Sequence, residues 1–270
     1  MEWKTEKPNL ESAQILGWCV ELLYTGISMY YDLIEGNTWR QGKQCWYSMD
    51  NVGIIGLNDA IILENSIYFL INKYFKNSSH YIPLMDIFHE AALKTGCLQN
   101  AVLLSSKESV MKFDINMYRT ITNAKTTNYL YELPLKVAMQ LAGINSNAFL
   151  QCSTILNEMG HIYQVKEDFL NLYRRNGNDI EENKCTWFVI ECLQRANKEQ
   201  KEIMRNCYGK KDPNKIQNIK DLYSDLGLDV AFGIYVERQC QIIRDHIEKL
   251  TGFPKDIFRN NLNEILLRIR

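Results

Sequence analysis

Between Glu11 and Glu35, apolar residues recur every three or four positions, at Ile15, Trp18, Cys19, Leu22, Leu23 and Met29, with no proline to interrupt them. Such a stripe is the signature of a helix with one buried face. The same spacing continues along the chain. It predicts helices over Asn58–Phe75, with Leu63, Ile67, Leu70, Ile71 and Tyr74 on one face, and over Tyr81–Leu104. Asn116–Leu141 reads as two pieces kinked at Pro134. Further helices are expected over Asn147–Tyr173, Lys184–Cys207, Asn214–Thr251 and Asp256–Arg270. Only five prolines occur in the 270 residues, several at expected helix edges. Strand-like alternation is scarce, and no Gly-rich or Ser-rich linker or repeat divides the chain. The expectation is an all-α fold in one domain over residues 1–270.

A net charge of −1 gives no electrostatic footprint for nucleic acid. Met1–Pro8 lacks the apolar core of a secretory signal, and no apolar run reaches membrane-spanning length. A cytoplasmic protein without a nucleic-acid or membrane partner is therefore expected. The eight cysteines are scattered without a Cys-x-x-Cys pair, as reduced thiols in a core would be. His80, His89, His161 and His246 share no short zinc-binding spacing.

Two acidic groups stand out. Asp32 and Glu35 are three apart; Glu167 and Asp168 lie four and three before Asn171. Residues at these spacings share a helix face. Each group closes a predicted helix and opens into a polar loop, Gly36–Gly53 and Arg174–Asn183, like two sides of one cavity mouth. Magnesium takes oxygen ligands and is usually held by one or two carboxylates plus substrate phosphates. Two facing groups could hold a diphosphate through magnesium and stabilise the charge that grows as it leaves an allylic carbon. Paired acids on helices are more often solvated surface, so their neighbours decide the reading.

Those neighbours occur in a telling order. Trp18–Leu23 precedes the first group, and Arg40, Gly42, Cys45, Trp46 and Tyr47 follow it. Then come Asn58-Asp59-Ala60, Leu63-Glu64, Lys125-Thr126, and Gly160, Tyr163, Gln164 and Asp168. Asp179-Ile180, Asn183–Trp187 and Cys192–Ala196 complete the series. Along essentially its whole length the chain resembles farnesyl diphosphate synthases, whose two motifs read Asp-Asp-x-x-Asp. The resemblance implies a helical isoprenoid-synthase bundle around a deep central cavity, a prenyl diphosphate substrate, Mg2+ and a homodimer. By the same resemblance, Arg40, Lys125, Thr126, Gln164 and Lys184 hold the allylic diphosphate, with Arg40 and Lys125 acting on its departure. Asp32, Glu35, Glu167, Asp168 and Asn171 are the implied metal ligands.

The departures from the pattern matter as much. Tyr31 replaces the first aspartate, Asn171 the last, and Val102 the aspartate of a Gly-Gln-x-x-Asp stretch. The Gly-Lys of the loop after the second motif is missing. Gln41 and Tyr24 replace an arginine and a glutamine of the isopentenyl diphosphate pocket. The upstream Gly-Gly-Lys-x-x-Arg-Gly segment is not in this chain, and the N-terminal part of the family fold is expected to be missing. The triad of classical terpene cyclases is not matched either, since its last position falls on Arg175. Gly26, beside Ile27, reads either as a deepened pocket or as a tight helix crossing. Tyr24, Tyr30, Tyr31, Trp39, Tyr129, Tyr131, Tyr163 and Phe169 are candidates to face a carbocation, or simply core. With the ionising side retained and the acceptor side lost, the expected function is a terpene synthase derived from this family, similar to those of insects, that ionises farnesyl diphosphate to a sesquiterpene. The alternatives are an isoprenyl diphosphate synthase and a catalytically inactive relative.

Overall fold

The computed structural model describes residues 10–40, 42–144, 148–173 and 177–267; Met1–Pro8, Gln41, Arg174 and Arg175 lie outside the described residues. The fold is all-α. The chain forms two compact units, one of residues 1–93 and 129–149, the other of residues 94–128 and 150–270.

In the first unit, α1 (Leu10–Glu35) packs on α2 (Ile55–Phe75) and α5 (Leu133–Leu141). Its buried stripe is Leu16, Cys19, Leu23, Ile27 and Tyr31, which meets Ile67, Ile71 and Phe75 of α2 and Leu133 and Val137 of α5. Leu84 and Phe88, from the start of α3 (Tyr81–Ser105), close this core. The stripe is rotated from the expected one: Ile15 and Leu22 lie at its margin and Trp18 is exposed. Gly26 resolves to a helix crossing, because a Cβ there would lie 3.3 Å from the Ala60 carbonyl oxygen and 3.8 Å from Leu63 Cβ on α2. After α1 a short hairpin pairs β1 (Trp39–Arg40) with β2 (Lys43–Gln44), antiparallel, Trp39 opposite Gln44. It is the one sheet among the described residues.

The second unit contains the rest of α3, then α4 (Ile115–Thr122), α6 (Phe149–Tyr173), α7 (Trp187–Arg195), α8 (Lys198–Cys207), α9 (Pro213–Asp225), α10 (Leu228–Lys249) and α11 (Lys255–Leu267). Two expected helices are each split. Lys184–Cys207 breaks at Asn197, whose side chain accepts from Gln200 N while the Gln200 side chain accepts from Asn197 N. This reciprocal cap restarts a helix. Asn214–Thr251 breaks at Gly227, whose φ of 61° is a left-handed conformation that favours glycine. The expected kink at Pro134 lies earlier. Asn123–Glu132 forms a π-helix between α4 and α5, with Pro134 in the first turn of α5, where its missing N–H costs nothing. Among the described residues, no helix is long and apolar enough to cross a membrane. All eight cysteines are free thiols.

One contact fixes the π-helix against α6. At Gly160 a Cβ would fall 2.1 Å from Thr127 Oγ1 and 3.0 Å from Thr127 Cα. The backbone cannot yield as a flexible side chain would. Gly160→Ala is expected to lower unfolding free energy by about 1–3 kcal/mol, the range for overpacking a core, although alanine is the better helix former. Urea denaturation of the two proteins checks this; an equal or higher midpoint in the variant contradicts it.

Candidate functional site

Each unit carries one acidic motif, and in each the aspartate is already engaged. In the first unit, Asp32 is buried at the last turn of α1. The hairpin brings Arg40 onto it: Nε donates to both carboxylate oxygens at 2.9 Å and Nη2 to Oδ1 at 2.7 Å. Burial works against the charged guanidinium, but the hydrogen bonds and charge of Asp32 outweigh it and hold Arg40 protonated. Asp32 also pushes the buried Cys45 thiol up to about 12, after burial itself. Glu35 is half-buried and accepts from Asn37 Nδ2 at 3.4 Å. Tyr31, in the position of the family's first aspartate, belongs to the core, and its hydroxyl has no hydrogen-bond partner.

In the second unit, Asp168 is 5% exposed and accepts three hydrogen bonds. Gln164 Nε2 donates at 2.8 Å, Tyr118 Oη at 2.7 Å and the Trp187 backbone N–H at 2.9 Å. Trp187 opens α7, so the carboxylate also sits at a helix N-terminus. Burial and the negative charge of Asp179 nevertheless outweigh these donors and push Asp168 up to about 7. Thr126, buried in the π-helix, donates to Gln164 Oε1 at 3.0 Å. Lys184 Nζ lies 2.9 Å from Glu182 Oε2 and 3.5 Å from Asp179 Oδ1. Burial raises the Asp179 carboxyl, opposed by the charges of Lys184 and Lys125. In this unit Thr126 is thus bonded to Gln164, and Lys184 and Lys125 both act on Asp179. Glu167 is half-buried. The side-chain oxygen of Asn171 is buried without a partner and lines a small hollow with Asp179, Tyr208 and Tyr223.

The aromatic candidates divide. Phe169 stacks on Phe232 at 4.2 Å within the second core, Tyr24 meets Tyr129 at 5.7 Å, and Trp39 is exposed. Two residues escaped the sequence reading. Asp179 organises both lysines, and the Asp179-Ile180 match was its signal. Gln99 is buried with neither amide atom partnered, and it lies in the same stretch as the loss at Val102.

Among the described residues, no three His, Cys, Asp or Glu side chains converge as a metal site would. Asp32 and Asp168, assigned to metal from the sequence, direct their oxygens to protein donors. Each motif also has one half-buried carboxylate, Glu35 in the first and Glu167 in the second. That donor set fits magnesium held by one or two carboxylates and completed by diphosphate oxygens. It does not fit a dense preformed cluster.

The Polyprenyl synthetase family model matches residues 1–226. The farnesyl pyrophosphate synthase of Murgantia histrionica is 34% identical over 265 residues, covering 95% of this chain and 65% of that protein. That of Nezara viridula is 35% identical over 264 residues, covering 95% and 66%. That of Gallus gallus is 33% identical over 271 residues, covering 96% and 74%. This chain belongs to the polyprenyl synthetase family, on its farnesyl diphosphate synthase branch. It spans about two thirds of the length of the first two relatives.

Asp168 makes stability depend on pH in a specified direction. Its folded pKa, about 7, exceeds its ordinary 3.8. Between those values the folded chain holds a proton that the unfolded chain releases, so stability falls as pH rises through the window and levels off above it. Asp168→Asn removes this term. The unfolding free energy of wild type minus that of the variant should decline from about pH 4 to about pH 7. Urea titrations across the window check it; a flat or rising difference refutes the assignment.

Proposed function

We propose that the chain acts as a magnesium-dependent isoprenyl diphosphate synthase, a cytoplasmic homodimer that joins an allylic prenyl diphosphate to isopentenyl diphosphate and releases diphosphate. The names of its relatives favour this prenyltransferase reading over the terpene synthase expected from the sequence. One observation carries it: Lys125 and Lys184 set around Asp179, beside the Thr126–Gln164–Asp168 hydrogen-bond chain. This brings residues from three separate family motifs together, in a chain more than nine-tenths matched by its relatives.

In the second unit, Lys125 and Lys184 would take diphosphate oxygens, and Thr126 and Gln164 would orient them; in the first unit, Arg40 is the corresponding candidate. Glu35 in the first unit and Glu167 in the second are each candidates to hold magnesium, which would supply charge neutralisation as the diphosphate departs. Arg40 and Lys184 now face carboxylates, Asp32 in one unit and Asp179 and Glu182 in the other. Substrate binding at these two residues is then an exchange of anionic partners. A terpene synthase is the second reading, supported by Tyr24 against Tyr129, an aromatic pair where the isopentenyl pocket would have a glutamine.

Purified protein, magnesium and geranyl or farnesyl diphosphate, with and without isopentenyl diphosphate, distinguish these readings by product analysis. Elongated prenyl diphosphate supports the synthase. Sesquiterpene from farnesyl diphosphate alone supports the second reading, and no diphosphate release under any condition sinks both. Lys125→Met and Glu167→Gln should each lower kcat about 100-fold, the scale for removing one group that stabilises a leaving anion. Asn171→Ala, whose side-chain oxygen is enclosed, should stay within a few-fold of wild type. Single-turnover diphosphate release gives the ordering.

A further inference from the structure

Lys166 stands inside the second motif, between Gln164 and Asp168, yet none of the chemistry above uses it. It is 3% exposed. Lysine is almost never buried this deeply unless paired. Its Nζ donates to the carbonyl oxygen of Ile265, in the last turn described for α11. The charge is felt on α10 as well, where burial raises the Cys240 thiol and the charges of Arg244 and Lys166 oppose it. At its other end α11 is held by exposed pairs, with Arg259 Nη2 2.6 Å from Glu248 Oε1.

We propose that Lys166 is a positioning residue that couples the C-terminal helix α11 to the second acidic motif. α6 is gripped from two sides. Gln164 and Asp168 bond to Thr126, Tyr118 and Trp187, while Lys166 bonds to the end of α11. The rotation of α6 that presents Gln164 and Glu167 is set by both grips, so α11 is part of the site. The kinetic half of this inference rests on the proposed synthase function; the coupling itself does not.

Lys166→Met keeps the apolar stem and removes the donor, Lys166→Gln keeps a neutral donor, and Lys166→Arg keeps the charge. Hydrogen exchange in the full chain is followed over residues 258–267 and 164–171, with steady-state kinetics well below the melting temperature. In Lys166→Met, exchange in both segments should quicken about tenfold, the scale of one lost charged hydrogen bond. With it, kcat should fall and KM for the allylic diphosphate should rise, and Lys166→Arg should restore most of both. If Lys166→Met does not fold, Lys166→Gln carries the comparison, with a smaller shift expected in the same two segments. Faster exchange in 258–267 with 164–171 unchanged reduces Lys166 to a structural cap and overturns the proposal, as does wild-type exchange in both. Altered exchange with unaltered kcat and KM overturns the positioning role. A wild-type protein without prenyl activity refutes the synthase reading but leaves the exchange comparison to decide the coupling.

Discussion

The second unit depends on one buried carboxylate. Asp168 ties Tyr118 of α4, Gln164 of its own helix and the first amide of α7 into a single node. Tyr118 and Trp187 lie 50 and 19 residues away in sequence, so the node closes two long loops at once. Gln164 extends it to Thr126 on the π-helix, and Gly160 lets that π-helix lie against α6. Every candidate diphosphate ligand of this unit is placed by elements that meet here. The cost is also visible: burial and Asp179 push the node toward its neutral form, against three donors that favour the charged one. A carboxylate held so close to balance is a positioning device before it is a ligand.

The basic residues follow a related logic. Arg40 is satisfied by Asp32, and Lys184 by Asp179, Glu182 and Asn178. A half-buried cation left bare would lose hydration with nothing to offset it. Within each unit the carboxylates hold these cations in place. On the proposed function, the consequence would be a smaller net gain on binding a diphosphate than the number of cations suggests. Each phosphate oxygen that reaches Arg40 or Lys184 must displace a carboxylate oxygen already bound there.

Much of this was legible in the sequence. α1 emerges within one residue of its observed start because a long stripe free of proline has few other solutions. α3 and α6 are similarly close. Breaks were harder. A helix interrupted by a capping box at Asn197, or by the left-handed Gly227, keeps its apolar spacing on both sides, so periodicity runs straight through. The π-helix also hides, since its ten residues are too few to establish a period of their own. Lys125, Thr126, Gln164 and Lys184 were candidates from the motifs alone; in the structure Thr126 bonds to Gln164, and the charges of both lysines act on Asp179. What the sequence could not separate was Glu167 from Asp168. Adjacent acids look alike on paper, but they lie about 100° apart on a helix, and that angle sends Asp168 inward while Glu167 stays half-buried.

The first motif does not divide between adjacent residues in this way. Asp32 and Tyr31 turn inward, and Tyr31 is absorbed into the core among Ile27, Leu23 and the α2 face. Replacing an aspartate there with tyrosine converts a ligand position into a packing position, with an unpartnered hydroxyl as the trace of the change. Glu35 is the carboxylate that stays half-buried in this motif, as Glu167 is in the other. Magnesium tolerates such thinning better than most ions. It dehydrates reluctantly, keeps several waters, and relies on substrate phosphates for the rest of its shell. On the proposed function, a diphosphate would bring its own oxygens, so magnesium at either motif's remaining carboxylate would need substrate to complete its shell. On that reading, metal and substrate affinity would be strongly interdependent, as expected where substrate oxygens rather than a dense set of carboxylates complete the metal's shell.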